Sequence, residues 1–179
     1  GAAGRIEVAE KIENRGSITT GGKIDLASKD YENHGNVAIN LFTLREGKLD
    51  NRDGSSTFDS ADIKASQLDN ARGQLFLYRA KPIQVKGEVN NHGGQIHGVD
   101  SLSISAGKIN NTGGGSITSD NTLSLQARGS INNAGSIGAN NSVSLQAGKD
   151  IANSGQIRSG NGLSLSAGHD INNGGQLFA

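Results

Sequence analysis

Few side chains in this sequence have the types and spacing that catalysis or metal binding would need. Two of the four histidines, His34 and His92, each follow an asparagine of a repeated turn, but three repeats separate them. We therefore expect that they cannot share a ligand. His169 takes the place that Lys149 has one repeat earlier, so we expect a solvated outer position. The histidines predict neither a metal site nor a catalytic group.

Asp150 and Asp170 are the other candidates for chemistry, because they occupy the same repeat position twenty residues apart. Stacked repeats would bring their carboxylates to about 5 Å, the separation used by retaining glycosidases. The same slot also holds Lys11, Lys48 and Lys108, which is typical of a solvated column. We therefore predict no catalytic residue, no metal and no cofactor, and we expect that the chain is not an enzyme.

The serines that face outward between strand residues offer a different kind of site. Ser124, Ser144 and Ser164 recur one repeat apart and would form a flat polar ladder. Such a ladder could bind a glycan or a crystalline surface. A polar outward face is also what any exposed strand needs, so solubility explains it equally well.

Composition narrows the class of protein. The 179 residues include 27 Gly and one Pro, no Cys, Met or Trp, and only 3% aromatics, which predicts a narrow aliphatic core. Lys plus Arg and Asp plus Glu are equal at 17, so no net field favours nucleic acid or an anionic membrane. No window reaches eighteen apolar residues and no signal peptide follows Gly1. We expect an excised fragment that does not insert into membranes.

A repeat of about twenty residues runs through the chain. An asparagine before a glycine turn marks each copy, and an apolar residue stands two positions earlier in all nine. The asparagines are Asn14, Asn33, Asn51, Asn70, Asn91, Asn111, Asn133, Asn153 and Asn173. Apolar residues also follow the turn in every copy except the third, and a third run alternates apolar with polar residues, as in Leu123 and Leu125.

Three short strands and three turns per copy predict an all-β parallel β-helix of about nine coils. The usual handedness of parallel connections favours a right-handed coil. The anchor asparagine has the same parity as the inward apolar residue two positions before it. We therefore predict that the nine asparagines form an inward ladder, and an ordinary turn without a ladder is the alternative.

The repeats INNAGSIGANNSVSLQAGKD and IANSGQIRSGNGLSLSAGHD resemble those of the filamentous haemagglutinin family of bacterial two-partner secretion. The resemblance is strongest over Val89–Ala179 and weaker over Ala38–Glu88. The secretion-domain motifs NPNG and NPNL are absent, and Pro82 is the only proline. The resemblance implies a stalk exported through an outer-membrane transporter to the cell surface, in an adhesin or a contact-dependent growth-inhibition toxin, where virulence and cell adhesion are the expected context.

We predict one repeat domain over residues 1–179, with irregular coils at 38–88 and regular coils at 89–179. The irregular part holds four of the six aromatics, and alternation in QLFLYRAKPIQV turns Phe76 and Tyr78 outward beside Arg79 and Lys81. This mixture is enriched at interaction hot spots. The four residues are therefore a candidate contact with a cell-surface receptor or glycan, and inward packing of the aromatics is the alternative.

The function that these observations favour is structural. We expect a stalk or adhesin segment of a large secreted surface protein that projects from the cell or mediates cell contact. The second interpretation is a carbohydrate-binding or polysaccharide-lyase-like β-helix.

Overall fold

The computed structural model describes residues 3–20 and 23–179. In this part of the chain there are 25 strands and no helix, and every strand pairing is parallel. Accordingly, the described residues contain no helix that could span a membrane. The chain winds as a solenoid of about nine coils with about twenty residues each, which confirms the predicted β-helix. The right-handed sense stays a prediction.

One face of the solenoid is a nine-stranded sheet, which we call sheet B. Each strand carries one anchor asparagine at or just beyond its end, and each pairs in register with the next coil. Its strands are β2 (Lys11–Asn14), β5 (Asp30–Asn33), β7 (Lys48–Asp50), β9 (Gln67–Asp69), β12 (Glu88–Asn90), β15 (Lys108–Asn111), β18 (Ile131–Asn133), β21 (Ile151–Asn153) and β24 (Ile171–Asn173).

The other two faces are the arms of a 16-stranded sheet, sheet A. The first arm follows the asparagine turn. It contains β3 (Ser17–Thr19), the start of β6 (Asn36–Arg45), the start of β8 (Ser55–Ala65), β10 (Gln74–Ala80), β13 (Gln95–Gly98), β16 (Ser116–Ser119), β19 (Ser136–Ala139), β22 (Gln156–Ser159) and β25 (Gln176–Phe178).

The second arm closes each coil before the chain returns to sheet B. It contains β1 (Ala3–Glu7), β4 (Lys23–Ser28), the ends of β6 and β8, β11 (Ile83–Val85), β14 (Leu102–Ala106), β17 (Thr122–Ala127), β20 (Ser142–Ala147) and β23 (Gly162–Ala167). Alternate residues of both arms are buried, as the period-2 pattern predicts. The core is therefore a set of aliphatic columns along the axis.

The irregular coils depart from three strands per copy. In β6 and β8 the strands of the two arms merge into single strands of 10 and 11 residues. The two strands pair with each other on both sides of the corner, from Asn36–Ser55 to Ile39–Phe58 and again from Leu41–Ser60 to Arg45–Lys64. The prediction of three short strands is wrong for these two coils.

A second departure is the packing of the large aromatics inside these coils. Phe42 and Phe58 are fully buried and stack with ring centroids 4.3 Å apart, and the ring of Tyr31 meets Phe42 edge-on at 4.7 Å. Three rings fill a core that is aliphatic elsewhere. Two of the four aromatics in the irregular stretch thus pack inward, whereas Phe76 and Tyr78 do not.

Candidate functional site

The nine anchor asparagines form one continuous hydrogen-bonded column. In each case the side-chain Nδ2 donates to Oδ1 of the asparagine in the next coil, at 2.7 to 3.0 Å. The first eight asparagines are at most 7% exposed. Eight bonds in one direction therefore link the whole length of the solenoid.

Each amide of the column also satisfies the turn beside it. Asn91 Nδ2, for example, donates to the carbonyl of Gly94 in its own coil and to that of Ser116 in the next, at 3.1 and 2.9 Å. The carbonyl of Gly94 also accepts the backbone N–H of Ser116 at 2.8 Å, so the amide adds a second hydrogen bond to that oxygen. The geometry fits a structural rather than a chemical role for these residues.

The third coil lacks an aliphatic residue after the turn because Ser56 stands there. Ser56 is fully buried, in register with Val37 and Leu75. Its hydroxyl lies 2.9 Å from the hydroxyl of Tyr31 and donates to Oδ1 of Asn51 at 2.7 Å. Ser56 thus completes the hydrogen bonding of the buried tyrosine Tyr31. The sequence pattern did not predict this contact, because the two residues occupy different repeat positions.

A buried carboxylate lies on the outer side of sheet B. Asp50 is 4% exposed and accepts two parallel hydrogen bonds from Arg52, at 2.7 and 2.8 Å, and one from Lys48 at 3.1 Å. Burial raises the pKa of Asp50, but the hydrogen bonds from Arg52 and Lys48 outweigh it and lower this pKa to about 2. The cluster is an ion pair that stays charged at neutral pH.

The histidines are held in separate local contacts. His34 lies 3.1 Å from a carboxylate oxygen of Glu32, and His92 lies 3.1 Å from the Thr112 hydroxyl. The ring of His169 is 65% exposed. In residues 3–20 and 23–179, no group of three or more His, Asp or Glu side chains could hold a metal ion.

Asp150 and Asp170 do stack in neighbouring coils. Their strands pair through Ile151 and Ile171, and the backbone N–H of Asp170 donates to Oδ1 of Asp150 at 3.3 Å. Both carboxylates lie toward solvent on the outer side of the solenoid. The bond from the Asp170 backbone to the Asp150 carboxylate links the two turns.

The residues of the candidate contact lie on and beside β10. Tyr78 is 47% exposed, Arg79 and Lys81 are exposed, and Phe76 is half-buried. Lys81 is paired with Asp62 at 2.7 Å. The structure places the four side chains on the outside of one coil, where they form a surface that we call the β10 patch.

A groove begins next to the β10 patch and runs along the first arm of sheet A. Its floor is Gly138, which is in register with Thr118 on one side and Arg158 on the other. His97 and Asp120 lie at one end, and the groove, which is open to solvent, has a volume of about 490 Å³. We call this surface the Gly138 groove. The sequence hides it because only the register reveals that a glycine interrupts an outward column.

A relay of side chains lines the end of the groove. His97 Nδ1 lies 2.9 Å from the Thr118 hydroxyl, and its Nε2 lies 3.6 Å from Asp120 Oδ1. Hydroxyl, imidazole and carboxylate in this order are also the parts of a nucleophilic triad. The backbone N–H groups of Ser116 and Asp120, two residues before and two residues after Thr118, donate to the preceding coil and are not free to bind an oxyanion. The relay orients polar groups toward the groove.

A sequence model of the haemagglutinin repeat matches residues 1–177. No curated protein and no solved structure matches the chain.

Proposed function

The chain belongs to the haemagglutinin repeat family, and from this membership we propose that it is a rigid stalk segment of a large bacterial exoprotein. The family is found in secreted surface exoproteins. In this proposal the exoprotein reaches the surface through an outer-membrane transporter, projects from the cell, and contacts a receptor or glycan on another cell. Adhesion and growth inhibition are both functions that such a stalk serves.

The observation that carries the proposal is the unbroken asparagine column. Eight hydrogen bonds join nine coils, and parallel ladders on both sheets run the same length. A coil of this kind contacts only its neighbours, so coils can be added without rebuilding the fold. At about 4.8 Å per coil, nine coils give a rod of roughly 40 Å.

Insertion of whole coils tests the stalk. Residues 154–173 form one 20-residue copy, and three further copies after Asn173 should extend the rod by about 15 Å in X-ray scattering. A shuffled 60-residue insert of equal composition is the matched control and should behave as a flexible tail. Loss of the folded rod on adding true copies would contradict the stalk.

A paired substitution tests the contact. Phe76→Ser with Tyr78→Ser should abolish binding of cells that display the chain to target cells, while the urea midpoint stays nearly unchanged. Both side chains reach the outside of β10, so little core packing is lost. A matched pair on the opposite arm, Ser144→Thr with Gln146→Ser, should leave binding intact. Binding that survives the first pair would mean that the β10 patch is not the contact.

A further inference from the structure

We propose that the Gly138 groove binds a neutral oligosaccharide that lies along the axis of the solenoid. This inference rests on the proposed contact function and gives it a site and a ligand class. The ligand would lie mainly on the regular coils, residues 89–179. A strict repeat would give these coils no distinct binding site.

The shape of the groove comes from one missing side chain. Phe76, His97, Thr118, Gly138 and Arg158 are in register on successive coils and point outward. Because Gly138 has no side chain, a notch about 10 Å long lies between Thr118 and Arg158, two coil spacings apart. An extended polymer along the axis would meet this column once in every coil.

The charges of the groove select a neutral ligand. Asp120 and Arg158 are both exposed and carry opposite charges at its two ends. Across the described residues, Asp120 forms an ion pair with His97 alone, and Arg158 forms none. An anionic polymer would meet Asp120, and a cationic one would meet Arg158. Sugar hydroxyls can donate to the carboxylate and accept from the guanidinium, so a neutral polyol satisfies both.

The remaining walls also suit a sugar. Ser136 and Gln156 line one side with groups that donate and accept hydrogen bonds. The ring of Phe76 lies 5.7 Å from that of His97, tilted by 59°, and extends the groove into the β10 patch. Aromatic rings beside planar polar groups offer an apolar surface to the C–H face of a pyranose and hydrogen bonds to its hydroxyls.

Calorimetric titration of the purified chain tests the inference. The probes are cellotetraose, mannotetraose and chitotetraose, with tetragalacturonate as the anionic counterpart. We expect at least one neutral probe to bind. Arg158→Ala and Gly138→Thr should each weaken that binding at least about tenfold, since the first removes a charged donor and the second fills the notch. Ser164→Thr, on the other arm, is the matched control and should bind as the wild type does.

The two variants differ in their risk to the fold. A Cβ at Gly138 would lie 3.3 Å from the carbonyl oxygen of Arg158, so a small backbone shift is needed. Arg158 is exposed, and its truncation removes no core contact. The inference would be overturned if no neutral probe binds, or if tetragalacturonate is the only probe that binds. Unchanged affinity of either variant for the neutral probe would also overturn it. If the Phe76→Ser, Tyr78→Ser double variant then still fails to bind target cells, the proposed contact function is retained and only the sugar ligand is rejected.

Discussion

Asn133 donates from Nδ2 to Oδ1 of Asn153 at 2.7 Å and accepts at its own Oδ1 from Asn111 at 2.8 Å. The same Nδ2 reaches the carbonyl of Gln156 at 3.0 Å. Every donation in the column points toward the C-terminal end. The column therefore has a polarity, and a coil added after Asn173 would extend it by offering one more acceptor.

Asn133→Ala should lower the free energy of unfolding by about 1–3 kcal/mol. The substitution removes the side-chain acceptor of the Asn111 amide, which keeps its bond to the Ser136 carbonyl, and the side-chain donor to Oδ1 of Asn153. Both lost bonds lie inside the solenoid. The urea midpoint of unfolding measures the effect.

A surface ladder provides the control for this substitution. Asn141 accepts from Asn161 at 2.9 Å and donates to Asn121 at 3.4 Å, with all three side chains exposed. Water replaces these bonds when Asn141 becomes Ala, so we expect little change in stability. Equal losses for Asn133→Ala and Asn141→Ala would show that burial of the column contributes nothing.

The turn glycines form a second column with a steric origin. A Cβ at Gly135 would lie 2.0 Å from the carbonyl oxygen of Gly115 in the preceding coil, and the Cβ at Gly155 would meet Gly135 in the same way at 2.1 Å. Gly135→Ala should therefore destabilise the chain by about 3 kcal/mol, because two stacked backbones must separate. Thermal unfolding provides the measurement.

Gly162→Ala is the matched glycine substitution. Its added Cβ would find the nearest heavy atom, the Cβ of Ser142, 4.0 Å away, and Gly162 lies within strand β23. We expect neutral or slightly raised stability, because alanine restricts the unfolded chain more than glycine does. A loss as large as that of Gly135→Ala would mean that close stacking is not the reason for the turn glycine.

The buried carboxylate Asp50 should make stability depend on pH in acid. Its pKa is about 2 in the folded chain against about 3.9 in unfolded chains, so the folded state holds fewer protons between these values. The contribution of Asp50 is complete above about pH 4 and is lost as pH falls through 2. Arg52→Gln should lower the free energy of unfolding by about 1–2 kcal/mol at pH 7. The loss stays this small because Arg52 is partly exposed and water screens the ion pair.

The acid response of the variant provides the check. Without Arg52, Asp50 keeps the burial that raises its pKa and loses the main bonds that lower it. Urea unfolding between pH 5 and pH 2 should therefore show a flatter decline for Arg52→Gln than for the wild type. Arg79→Gln removes the same charge from an exposed site and should preserve the wild-type slope.

Much of the fold could be predicted because each coil needs the same buried apolar residue and the same asparagine at equivalent positions. Ile131, Ile151 and Ile171 are in register in three successive coils, and each stands two residues before its asparagine. A residue type that recurs about every twenty residues can be recognised from a single sequence. Inward parity of the asparagines follows from strand alternation, so the positions that form the column could be identified too.

The features that escaped prediction depend on contacts between coils that differ. Ser56 looks like a gap in an aliphatic column until Tyr31, one coil earlier, is seen to reach it. Gly138 looks like any other repeat glycine until its neighbours Thr118 and Arg158 are known. Such sites need the exact register, which the varying spacing of 18 to 22 residues obscures.

Tyr31 gives a prediction that changes sign with pH. Near pH 7, Tyr31→Phe should cost about 1 kcal/mol, because it removes the hydrogen bond to the buried hydroxyl of Ser56. Burial raises the pKa of Tyr31 in the folded chain, and the bond to Ser56 offsets only part of that. Above about pH 10 the unfolded chain therefore loses a proton that the folded chain keeps, and the wild type becomes less stable as pH rises.

The phenyl ring that replaces the phenol cannot ionise, so the Tyr31→Phe variant lacks this decline. At pH 11 the penalty on the wild type reaches about 1.4 kcal/mol, enough to cancel the advantage that it holds at pH 7. Urea midpoints of the two proteins should therefore converge and cross between pH 10 and pH 11. Ser56→Ala with Tyr31 retained is the control, because it keeps the ionisable phenol and should decline with pH as the wild type does. Parallel curves for wild type and Tyr31→Phe across this range would show that the hydroxyl of Tyr31 ionises without unfolding, which its burial against Phe42 and Ser56 should prevent.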